Sequence, residues 1–127
     1  MDVIAHYRIL GSLGEGSMGA VYRAYDERLG RDVAIKLLKN RGDAGAVERF
    51  FREARAASAL NHPNIVTVFE AGETDQGYYI VMELVRGRVL RTLVGRPIDL
   101  KRFTSVARQA AEALGVAHRA GIVHRDI

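Results

Sequence analysis

Gly14-Glu15-Gly16-Ser17-Met18-Gly19, followed at once by Ala20-Val21-Tyr22-Arg23-Ala24-Tyr25, decides how the first third of this 127-residue chain folds. The glycine pattern G-x-G-x-x-G alone fits a dinucleotide-binding turn, a phosphate-binding loop or an ordinary hairpin. The residues after it choose between them. A dinucleotide-binding turn follows a strand and opens a helix, whereas Ala20 to Tyr25 alternate as a strand does. A Walker-type loop is excluded as well, because Ala20 stands where its lysine would be. Two readings remain. One is a strand–loop–strand hairpin folded over phosphates, in which glycine lets backbone N–H groups approach anionic oxygens without a Cβ in the way. The other is a flexible hairpin with no ligand.

Outward from this stretch, Tyr7-Arg8-Ile9-Leu10 leads into the loop. Asp26 to Gly30 make a turn, and Val33-Ala34-Ile35-Lys36-Leu37-Leu38 follows as a third strand of an antiparallel meander. From Ala46 to Leu60 the apolar positions Val47, Phe50, Phe51, Ala54 and Ala57 fall at helical spacing, with Asp43 as the N-cap and Asn61-His62-Pro63 as the stop. Ile65 to Phe69 and Tyr78 to Leu84 read as two more strands around an Asp75-Gln76-Gly77 turn. Beyond Gly87 the pattern is helical. A short helix covers Leu90 to Val94, and a longer one runs from Asp99, its cap, to Ala120, with Gly121 ending it. The stripe Phe103, Val106, Ala107, Ala110, Leu114 and Ala117 gives the long helix one apolar face. Strands and helices in separate runs predict an α+β fold.

Composition narrows the function. Hydrophobic residues make up 48% and charged residues 27% of the chain, the balance of a soluble globular protein. The length suits one domain. The absence of cysteine excludes a disulfide scaffold, a thiolate metal site and a cysteine nucleophile. No run reaches the roughly 18 apolar residues of a membrane span. The first residues lack the basic-then-apolar order of a signal peptide, which predicts a cytoplasmic protein. The net charge of +4 is uneven: residues 1–85 carry 10 basic and 12 acidic side chains, and residues 86–127 carry 9 and 3. The basic residues of the second segment are dispersed among apolar ones without aromatic stacking positions. They read as a solvated face and not as a nucleic-acid surface.

Lysine is scarce, with Lys36, Lys39 and Lys101 against 16 arginines. Lys36 lies in an otherwise apolar strand, so its ammonium calls for an anionic partner, which Glu53 in the next helix is placed to supply. An ammonium held by a carboxylate is fixed where it can bind the phosphates of a nucleotide. Lys39 reads as a surface residue with a snorkelling stem.

With these residues in hand, the chain resembles the eukaryotic-like protein kinases, in wording the bacterial serine/threonine kinases. The resemblance rests on Leu13 to Val21, Val33-Ala34-Ile35-Lys36, Glu53 and His124-Arg125-Asp126, in that order over nearly the whole chain. His62-Pro63-Asn64-Ile65-Val66 and Ile80 to Val85 fit between them. The family's fold implies an N-lobe with a five-stranded antiparallel sheet and one helix in residues 1–85. It implies the first helices of a mainly helical C-lobe in residues 86–127. The resemblance implies ATP as the bound nucleotide, with Mg²⁺ in the intact kinase, and transfer of the γ-phosphate to protein serine or threonine hydroxyls. Gly14, Glu15, Gly16, Ser17 and Gly19 match the loop over the phosphates, and Leu13, Val21 and Ala34 the apolar ceiling over adenine. Lys36 matches the lysine of the α- and β-phosphates, and Glu53 its helix partner. Met82 matches the gatekeeper, and the backbone of Glu83 and Val85 the adenine-binding hinge. Asp126 matches the catalytic-loop aspartate. For His124 a structural role is the better reading, and Arg125 commonly meets a phosphorylated activation loop.

The family's pattern continues with an asparagine and a DFG motif, both Mg²⁺ ligands, and neither is among these 127 residues. Arg86 departs from the acidic residue common near the ribose. These features imply that the 127 residues alone have little kinase activity. They leave a non-catalytic, nucleotide-binding or protein-interaction remnant as the alternative. They also imply self-association through the uncovered apolar stripe of the long helix.

Overall fold

The computed structural model describes residues 3–16, 19–38, 44–88, 90–93, 95 and 97–121, and in it the period-two patterning becomes one antiparallel sheet. Its strands are β1 (Val3–Ile4), β2 (Tyr7–Gly16), β3 (Gly19–Asp26), β4 (Arg31–Leu38), β5 (Val68–Thr74) and β6 (Gly77–Glu83), in spatial order β1-β2-β3-β4-β6-β5. One helix, α1 (Ala44–Ser58), joins β4 to β5. The sheet has six strands instead of the five expected. β1 is two residues long, too short for any periodic signal, and Ile4 anchors it by being fully buried.

Alternation along β4 divides the hydrophobic residues between two cores. Val33, Ile35 and Leu37 point to one face and pack with Ile4, Tyr7, Ala24, Tyr79 and Val81. Leu38 points to the other and packs with Ile80 and with Phe50 and Ala54 of α1. Burying an Ile or Leu side chain contributes about 1.5–3 kcal/mol before entropy is subtracted, so these two faces hold most of the unit's stability. The sheet curls around the larger core. Gln76 Nε2 donates to the Val3 carbonyl at 2.8 Å, and the Tyr7 hydroxyl donates to the Glu70 carboxylate, bringing the two ends of the sheet together. Burial first, and then the bond to Glu70, push the Tyr7 hydroxyl well above its ordinary pKa.

The strand expected at Ile65 to Phe69 lies further on, at Val68–Thr74. Ile65 and Val66 have strand propensity, but the Ile65 N–H closes a turn onto the His62 carbonyl at 3.1 Å. Asn64 Nδ2 also donates to the Gln109 carbonyl at 3.2 Å, which ties this segment to helix α2 (Leu100–Arg119). The chain accordingly forms two compact units, Met1–Ala59 with Thr67–Leu84 and Leu60–Val66 with Val85–Ile127. In the second unit Leu90–Leu93 form a 3-10 turn where a short helix is expected. Asp99 caps α2 by accepting from the Arg102 N–H at 2.8 Å, as expected, and Gly121 follows it with φ 82°. No α2 residue is buried, and Phe103 is 56% exposed. The Asp43 cap lies outside the described residues. Among the described residues no helix is long and apolar enough to cross a membrane.

Two glycines flanking the loop have different surroundings. Gly19 begins β3 with φ 149°, and a Cβ there would lie 2.0 Å from the Leu37 carbonyl oxygen. That contact is with backbone, which cannot step aside. Gly14, by contrast, would place a Cβ in open space. Gly19→Ala should therefore cost at least about 2 kcal/mol through strain and overpacking, and Gly14→Ala under about 1 kcal/mol, as read by urea denaturation. Comparable losses from the two substitutions would contradict the packing described.

At the other end of β3, Asp26 is 2% exposed. Its Oδ1 accepts the N–H groups of Arg28 at 2.9 Å and Leu29 at 3.0 Å, which shapes the β3–β4 turn, and lies 3.4 Å from His6 Nε2. Burial pushes this carboxyl up, but the two N–H groups and the nearby His6 and Arg31 outweigh it, so its pKa sits below the ordinary 3.8. A depressed carboxylate contributes stability that is present above the unfolded pKa and lost as pH falls through the folded one. Asp26→Asn should thus be less stable than wild type at pH 7, and the gap should close on acidification below about pH 4. Thermal melts across pH 3–7 check this, and a gap that does not change with pH would refute it.

Candidate functional site

The β2–β3 hairpin brings the glycines to one end of the sheet. Gly14 pairs with Val21, Glu15 with Ala20 and Gly16 with Gly19, so the strands stay paired up to the loop itself. Two bulges bend β2 on the way there, and the extra residues at them are Leu10 and Leu13, 40% and 54% exposed. Ser17 falls outside the described residues.

Pleating then decides what stands beside the loop. Val21 of β3, Lys36 of β4 and Ile80 of β6 are register partners, and so are Arg23, Ala34 and Met82 one step along. These side chains share the sheet face opposite the larger core, because Ala24, Val33, Ile35 and Val81 alternate with them into that core. Helix α1 covers the Leu38–Ile80 part of this face, and Met82 packs against the same cluster. Lys36 is therefore exposed in a strand whose neighbours Ala34, Ile35 and Leu37 are all buried. The structure brings Gly14, Gly16, Gly19, Val21, Ala34, Lys36 and Met82 to one face and end of one sheet.

Glu53 does not join them as expected. Among the described residues, Lys36 and Glu53 form no ion pair within 4.0 Å. Phe50 and Ala54 are the α1 residues turned into the core, and Glu53, about 100° around the helix from Ala54, is turned to solvent. A buried ammonium would need a carboxylate, but Lys36 is exposed and water satisfies it.

At the end of β6 the Glu83 N–H donates to the Thr67 carbonyl at 2.8 Å, and the Thr67 N–H donates to the Glu83 carboxylate at 3.1 Å. This use of the Glu83 side chain has no signature in the sequence. Val85 belongs to the second unit and is 62% exposed. Asp126, with His124 and Arg125, lies outside the described residues. Among the described residues no group of three or more His, Asp or Glu side chains converges to hold a metal ion.

A cavity of about 300 Å³ on the first unit, lined by His6, Asp26, Arg28, Arg31, Phe69 and Glu70 among others, has little signature in the sequence. The Arg31 guanidinium lies 3.9 Å from the centroid of the Phe69 ring. An aspartate opening a tight turn was the available signal, since such residues bind the backbone N–H groups that follow.

Comparison with known proteins places this geometry. The protein kinase domain family matches residues 7–127. Serine/threonine-protein kinase PrkC of Bacillus subtilis is 43% identical over 129 residues, which cover 98% of this chain and 20% of that protein. Serine/threonine-protein kinase PknA of Mycobacterium tuberculosis is 41% identical over 130 residues, covering 95% of this chain and 30% of that protein. The crystal structure of the Mycobacterium tuberculosis PknI kinase domain superposes with a TM-score of 0.79 at 29% identity, over 98% of this chain and 53% of that one. The chain thus spans a third or less of these curated relatives and about half of the solved kinase domain. With the glycine hairpin, the exposed Lys36 and the match over residues 7–127 taken together, the chain belongs to the protein kinase domain family, among bacterial serine/threonine kinases.

Proposed function

We propose that these residues form the ATP-binding part of a cytoplasmic serine/threonine protein kinase, with residues 1–85 as its N-lobe and 86–127 as the start of its C-lobe. The observation that carries the reading is the exposed Lys36. It is the one charged side chain in a strand run otherwise buried from Val33 to Leu38, and it shares a face with Val21, Ala34 and Met82. A cation there has no packing role, since the sheet's two cores close without it.

The roles follow from chemistry. Backbone N–H groups around Gly14, Glu15, Gly16, Ser17 and Gly19 surround the phosphates, and the vacant Cβ direction of Gly14 leaves room for them. The Lys36 ammonium offsets the charge of the α- and β-phosphates. Leu13, Val21, Ala34 and Met82 supply apolar contact for the base, and the main chain of Glu83 and Val85 its hydrogen bonds. Phosphoryl transfer asks for more: Glu53 holding Lys36, Asp126 on the substrate hydroxyl, and Mg²⁺ neutralising charge. With Glu53 turned away from Lys36, binding and transfer are separable properties of this chain, and protein serine or threonine as acceptor is a property of the intact kinase.

Calorimetry with ATP tests the reading. The 127-residue chain should bind ATP, and Lys36→Met should weaken binding by about tenfold or more, the worth of one hydrogen bond to a charged group. The same substitution should leave the unfolding midpoint nearly unchanged, because Lys36 is exposed. No binding at millimolar ATP, or equal binding by the variant, would overturn it.

A further inference from the structure

The β5–β6 ladder ends in an unusual way. Val68 pairs with Met82, so the next antiparallel pair is Thr67 with Glu83. An antiparallel pair of this kind exchanges two main-chain bonds, each residue's N–H donating to the other's carbonyl. Only one is made: the Glu83 N–H reaches the Thr67 carbonyl at 2.8 Å. The Thr67 N–H turns instead to the Glu83 carboxylate at 3.1 Å. The side chain of Glu83 has replaced its own main-chain carbonyl as the acceptor. A strand residue also presents N–H and carbonyl towards the same neighbour, so the Glu83 carbonyl is not turned to Val33 on the other side. Glu83 itself is exposed, so its carboxylate owes this position to that bond and not to packing.

We infer that the Glu83 carboxylate is a positioning residue for base recognition. By taking the Thr67 N–H, it keeps the Glu83 carbonyl out of the ladder and available to the exocyclic amino group of a 6-aminopurine. The inference rests on the nucleotide reading proposed above. A charged acceptor outcompetes a neutral carbonyl for one N–H, since bonds to a carboxylate are roughly twice as strong. Without the carboxylate, the Thr67 N–H closes the ladder onto the carbonyl, which is drawn away from the base. The effect falls on selectivity for the amino group, not on the phosphates or on folding.

The test compares ATP with purine riboside triphosphate, which lacks the 6-amino group and is otherwise the same, by calorimetry on the 127-residue chain. Wild type should prefer ATP by about threefold to tenfold, the worth of one hydrogen bond. Glu83→Ala, and Glu83→Met, which keeps the length but removes the acceptor, should bring the preference close to unity. Glu83→Gln, whose amide oxygen still accepts, should retain most of it. A truncation that keeps the wild-type preference, or a wild type that binds both nucleotides equally, overturns the inference and leaves the nucleotide site standing. Failure of wild type to bind either nucleotide overturns both.

Discussion

The pleat of β4 is the constraint on which the rest depends. A strand must send successive side chains to opposite faces. With β3 on one side and β6 on the other, β4 cannot rotate to hide a polar residue. Val33, Ile35 and Leu37 commit it to the larger core. Lys36 is then forced onto the opposite face, between Val21 and Ile80. A slip of one residue would bury the ammonium and expose three aliphatic side chains, at a cost of several kcal/mol, so the register that builds the core also aims the cation.

Much of this was legible in the chain itself. A glycine loop followed by a strand excluded the helix-opening alternatives, and the resemblance carried by Lys36 and its flanking residues led to the kinase family. The Asp99 cap and Gly121 were readable because capping is a local matter of one side chain and one turn. The departures in the first unit and at the start of β5 are non-local. β1 depends on Ile4 reaching the core, β5 begins late because Asn64 is tied to Gln109, and Glu53 faces water because Phe50 and Ala54 take the packing face of α1. The exchange of acceptors between Thr67 and Glu83 joins residues 16 positions apart, and neither residue announces it.

The arrangement separates two demands on a phosphotransferase. In the reading proposed, the glycine hairpin, Lys36 and Glu83, which hold the nucleotide, lie within the first compact unit, and Val85 lies in the second. Moving a phosphoryl group asks in addition for a paired Lys36, an aspartate and metal, and among the described residues Lys36 and Glu53 form no ion pair. The sheet and α1 close their two cores without a contact between Glu53 and Lys36.

Backbone amide shifts by NMR, recorded on the 127-residue chain as ATP is added, test the central claim most directly. The account predicts changes concentrated at Gly14 to Val21, Ala34 to Lys36 and Met82 to Glu83, on the face of β4 opposite the larger core. Changes centred on the cavity lined by His6, Arg28, Arg31 and Phe69, with the Lys36 face silent, would contradict it.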